Sequence, residues 1–141
     1  MSKLVRAALI IPMLAILAVS SATVAMADNG VNLSVVPDAT LTAKLEVQVT
    51  VTASCPAGWS TMGSSVVVEQ AVGKSIAHGT GYLPYFQCTG NDQVIPVIIL
   101  ADPSGPPFKK GTAIVSATFS AFDPTTYTSG MGSVTTTLKL K

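Results

Sequence analysis

The chain carries one histidine, His78, and two cysteines, Cys55 and Cys88. Nucleophilic chemistry of the Ser-His-Asp or Cys-His kind needs a base beside the nucleophile, and His78 is the single candidate. No Gly-x-Ser-x-Gly elbow accompanies it, and His78 reads as an ordinary strand residue. A zinc site wants three or four clustered nitrogen or sulfur ligands, and a blue-copper site two histidines with a thiolate; these residues supply neither. Seven acids could in principle furnish a carboxylate pair. However, Asp38, Asp102 and Asp123 each stand in a turn or beside a proline, where local structure accounts for them. There is no D-x-D-x-D-G run for calcium. Gly79-Thr80-Gly81 is followed by no helix, so it is not a phosphate loop. The expectation is a protein without catalysis, metal or cofactor.

The two cysteines are best understood through the segments that hold them. In Leu45–Cys55, the residues Leu45, Val47, Val49, Val51 and Ala53 alternate with polar neighbours. That period of two places one apolar face on a β-strand. Further strands are expected at Leu33–Val36, Ser65–Val72, Lys74–His78, Val94–Ala101, Thr112–Ala121 and Ser133–Lys141. Within Ser65–Val72, Val66, Val68 and Val72 should face inward beside Gln70, with Glu69 toward water. Val94–Ala101 is apolar on both faces and reads as a central, well-covered strand. Its Pro96 requires a bulge or an edge. Turn signals fall at Pro56-Ala57-Gly58, at Gly79-Thr80-Gly81, at Gly90-Asn91-Asp92, across residues 102–107 and across residues 123–132. No segment beyond residue 27 has a helical period.

Lys3 and Arg6 precede an apolar run from Ala7 to Val19, and small residues lead to Ala25-Met26-Ala27. That is the form of a secretory signal peptide, residues 1–27, cleaved between Ala27 and Asp28. Cleavage leaves 114 of 141 residues, a usual size for one domain, with no membrane span remaining. Residues 28–40 form an N-terminal segment with an edge strand, and residues 41–141 the domain proper. Six lysines then stand against seven acids, a net charge of −1 with no arginine. Nucleic acid is an unsuitable partner for such a chain, because its phosphates demand a basic patch. Two cysteines in an exported protein most simply form one disulfide, although two free thiols or an intermolecular bridge are the alternatives.

The segments VTVTASCPAG, QAVGKSIAHGTG, FQCTG and FKKGTAIVSATFSA resemble a family of small secreted immunoglobulin-like proteins of actinobacteria, mostly uncharacterised. The likeness runs from about Leu45 to Lys141. It implies an all-β, immunoglobulin-like Greek-key sandwich of about seven strands with a Cys55–Cys88 bridge. It carries no activity and no functional residues. Some relatives hold a second cysteine pair around the last loop, where this chain has Phe122 and no cysteine.

If successive strands alternate in direction, Cys55 and Cys88 fall at the same end. Trp59, Met62, Tyr82, Tyr85 and Tyr127 fall there too, whereas Lys74, Lys109 and Lys110 lie at the other. Rigid aromatic side chains with polar tips are common anchors of loop-built recognition surfaces. The competing reading is that Trp59 packs on the disulfide and that Tyr82 or Tyr85 caps the sandwich core. The leading functional expectation is therefore a secreted, extracellular binding module for a protein, a glycan or a small ligand, acting through these aromatic loops. Alternatives are an envelope or matrix component assembled through strand edges, and a carrier enclosing a small apolar ligand.

Overall fold

The computed structural model describes residues 24–141. Residues 1–23, most of the predicted signal segment, lie outside the described residues. The nine strands are β1 (Val24–Ala27), β2 (Asn32–Val35), β3 (Asp38–Ala43), β4 (Glu46–Ser54), β5 (Ser60–Val72), β6 (Ser75–Tyr82), β7 (Gln93–Ala101), β8 (Gly111–Phe122) and β9 (Ser129–Leu140). The alternating segments form strands as expected, but they do not form an open immunoglobulin-like sandwich. Seven of them close into a mixed barrel, in the order β9–β3–β4–β7–β6–β5–β8 and back to β9.

Two seams make the difference, and both lie where the sequence reads as turn or tail. The first is β6, which continues through Gly79-Thr80-Gly81 instead of ending there. It pairs with β5 along its length and then meets β7 through Gly79↔Ala101 and Thr80↔Leu100. Its glycines permit this approach. A Cβ on Gly79 would stand 2.7 Å from the Leu100 carbonyl oxygen, and one on Gly81 would stand 2.7 Å from Ile99 Cδ1. The second seam is β3, which pairs antiparallel with β4 and parallel with β9 through Asp38↔Lys139 and Ala39↔Leu140. Backbone bonds from Lys139 to Pro37 and from Lys141 to Ala39 fasten it.

The inward faces of the strands fill the barrel. Val47, Val49 and Val51 of β4 meet Val97 and Ile99 of β7, Val66 and Val68 of β5, and Val115 and Phe119 of β8, all buried. Phe108, fully buried, closes the end away from the cysteines, and its backbone N–H donates to the Lys44 carbonyl. Gln70 is buried as its inward position requires. Its amide donates to the carbonyls of Lys109 and Thr112 and accepts from the Lys109 N–H, so it holds the loop before β8.

β7 is covered on one face only. Ile95, Val97 and Ile99 point inward, whereas Val94 is 69% and Leu100 60% exposed on the outer wall. Pro96 takes the edge solution. The β4–β7 register runs unbroken through Thr50↔Pro96. The carbonyls of Ile98 and Leu100 face β6, so by alternation the Pro96 nitrogen faces that side too, beyond the last β6–β7 pair.

Candidate functional site

The end of β4 delivers Cys55 to Cys88, and the two form a disulfide with a Cα–Cα distance of 5.4 Å. Such bonds persist in oxidising compartments. Around it, the segment before Cys88 lies along the start of β5. The Cys88 N–H donates to the Trp59 carbonyl at 2.8 Å, and the Gly58 N–H donates to the Cys88 carbonyl at 3.0 Å. One step further, the Thr61 N–H donates to the Phe86 carbonyl, while the Phe86 N–H donates to Thr61 Oγ1 at 3.0 Å. Phe86 then stacks on Phe119 with ring centroids 5.7 Å apart. Tyr85 therefore projects from a backbone fixed just after it by the bridge, the β5 ladder and a buried ring, and before it by the bond from the Leu83 N–H to the Ser64 carbonyl.

Trp59 belongs to that scaffold. It is half-buried against the core, so the packing role applies to it and not to the tyrosines. Tyr82, Tyr85 and Tyr127 are 74%, 75% and 85% exposed, and none of them caps the barrel. Met62 is on the outer wall of β5, opposite Ser120, which in turn faces Met131 of β9. It precedes a bulge at Gly63-Ser64, where the Ser64 hydroxyl donates to the Met62 carbonyl and accepts from the Ser120 N–H in place of a ladder bond.

Tyr127 sits in a loop closed by its own hydrogen bonds. The register Ser60↔Phe122 brings residues 123–128 beside Trp59. Asp123 organises the loop: its carboxylate accepts from the Thr125 N–H and the Thr126 hydroxyl, both at 2.8 Å. Its backbone carbonyl accepts from the Tyr127 N–H, and its own N–H donates to the Thr128 carbonyl. The Thr125 N–H first, and then the Thr126 hydroxyl, hold the Asp123 carboxyl below the ordinary 3.8. The turn sets Tyr127 at φ 58°, a left-handed conformation that is an outlier for a bulky aromatic residue.

A second grouping was not legible in the sequence. At the opposite end, Asp102 lies near His78, and the backbone N–H of Asp102 donates to the His78 carbonyl at 2.7 Å. Ser104 completes an apparent Ser-His-Asp set, but its hydroxyl donates to Asp102 Oδ1 at 2.7 Å. A relay places the imidazole between hydroxyl and carboxylate; here the hydroxyl is engaged by the carboxylate in a capped turn. That bond, and then the Ser104 N–H, hold the Asp102 carboxyl below 3.8. Among the described residues, no three His, Cys, Asp or Glu side chains stand together to hold a metal ion. No helix among them is long and apolar enough to cross a membrane.

Comparison of the chain with protein-family models, with curated proteins and with solved structures gives no match.

Proposed function

We propose that this is a secreted, non-catalytic binding module that recognises an extracellular partner through the tyrosine-bearing loops of its disulfide end. The observation that carries this reading is the exposure of Tyr82, Tyr85 and Tyr127 on backbone fixed by a disulfide, strand pairing and an Asp-capped turn. Aromatic side chains held in advance lose little conformational freedom on binding, which is why they dominate contact energetics at interfaces. Secretion rests on the signal-like residues 1–27 together with the bridge.

Edge-to-edge assembly has less in its favour. Barrel closure pairs the seven strands around the ring, and with residues 1–27 removed the edges left among the described residues are short: β2, the Gly132–Thr135 stretch of β9 that β1 covers, and the part of β7 before its pairs with β6. The close approach of Gly79 and Gly81 to Ile99 and Phe108 likewise leaves an internal ligand little room at that seam.

The test is a variant carrying Tyr82→Ser, Tyr85→Ser and Tyr127→Ser. It is expected to fold, because all three side chains are exposed, and to lose binding to envelope and culture-filtrate fractions that retain the wild type. Undiminished retention of the variant would remove the role of these loops.

A further inference from the structure

We propose, building on the binding role above, that the partner of the aromatic end is the opposite end of a second copy of this chain, joined head to tail. The topology sorts charge as sharply as it sorts aromatics. Among the described residues, Lys44, Lys74, Lys109, Lys110, Lys139 and Lys141 all lie in turns or strand ends away from the disulfide, against Asp38, Glu46, Glu69 and Asp102. The disulfide end has Asp28, Asp92 and Asp123 and no lysine, arginine or histidine. A net charge of −1 over the chain after residue 27 thus conceals two ends of opposite sign, each suited to the other.

Shape follows the same division. Beside the lysines, the outer wall carries an open groove of about 350 Å³, lined by Ala71, Ile76 and Ile114 with Glu69 and Thr112. Ile76 is 56% and Ile114 49% exposed there. The hairpin that holds Lys74 borders this groove, and the loop that holds Lys109 and Lys110 is clipped to it by Gln70. At the other end Tyr127 stands out on its fixed turn beside the Asp123 carboxylate. An aromatic ring entering the groove would cover Ile76 and Ile114, its hydroxyl within reach of an acceptor such as Glu69. Asp123 would meanwhile face the lysines. The surfaces differ, so the contact is heterologous, and repeated it produces a ring or an open row of molecules, not a two-fold pair.

Sedimentation velocity on the secreted protein tests this. The mean mass should rise above the monomer with concentration and fall back as salt is added, because exposed charges are screened. Tyr127→Asn removes the ring while tolerating the backbone conformation. Ile76→Glu with Ile114→Glu spoils the groove at exposed positions. Each is expected to weaken association about tenfold or more, the loss typical of a central tyrosine anchor. Mixed in equal amounts, the two variants should form a species of two chains and nothing larger, since one keeps a working groove and the other a working Tyr127. Should the groove variant misfold, Lys109→Glu with Lys110→Glu serves in its place. A wild type that stays monomeric at every concentration overturns the proposal, as does assembly untouched by the variants or a mixture without the two-chain species. A monomeric wild type whose triple tyrosine variant still loses envelope binding overturns self-assembly alone and leaves the binding role standing.

Discussion

Tyr127 holds a conformation that an L-residue adopts at a cost of about 1–2 kcal/mol, with its ring in water. Replacing it by glycine should relieve that strain. Tyr127→Gly is expected to leave the melting temperature unchanged or slightly raised by calorimetry while abolishing retention on the binding fraction. Asp123 and Asp102 supply a pH signature. Both carboxyls lie below 3.8 in the folded chain because their turns donate hydrogen bonds to the anion. Their contribution to stability is therefore fully present above 3.8 and is lost as pH falls through the lower folded values. Asp123→Asn with Asp102→Asn should flatten the acid limb of a stability–pH curve followed by thermal melts. At this scale the sequence was partly legible. The aromatic residues could be named, and alternation could place them at one end. What separates Trp59 from the tyrosines is burial across β5 and the 83–88 segment, a contact between residues far apart in sequence. The strain at Tyr127 depends on the whole Asp123 turn, and Thr125, Thr126 and Thr128 look like any polar loop.

Strands with one buried face announce themselves through alternation, so β4, β8 and β9 were legible from Val47, Ala113 and Leu138 and their neighbours. The seams were not. Gly79 and Gly81 match a turn signal as well as they match a strand pressed against another backbone, and only the partner distinguishes the two. Gly81→Ala tests the seam: its methyl would collide with Ile99 and the Ile98 backbone. We expect a loss of about 1–3 kcal/mol in urea unfolding, the usual cost of overpacking. Gly58→Ala, with no atom within 4 Å of its Cβ, is a control for the backbone effect alone, since its φ is +86°. β3 was missed because DATLTA has little apolar content; pairing with β4 and β9 makes it a strand. β7 shows the opposite failure. Its apolar outer residues imitate a strand buried on both faces, and Val94 and Leu100 in fact meet solvent.

For the molecule as a whole, the disulfide is the largest single covalent constraint. Joining residues 33 apart, it is worth about 3–4 kcal/mol in the chain-entropy account. Cys55→Ala with Cys88→Ala should lower urea stability by that amount, and Trp59 fluorescence should report it. The exposed Lys141–Asp38 pair, at 2.7 Å, contributes at most about 1 kcal/mol. Its position matters more than its strength, because it spans the β3–β9 seam. The strand that completes the barrel against β3 is the last in the chain, and the pairing is made by Lys139 and Leu140. A chain that emerges N-terminus first can therefore order β4 to β8 early but must wait for β9 to close the barrel. Until then the barrel has an open wall, and the apolar inner faces of β4 and β8 stay in contact with water.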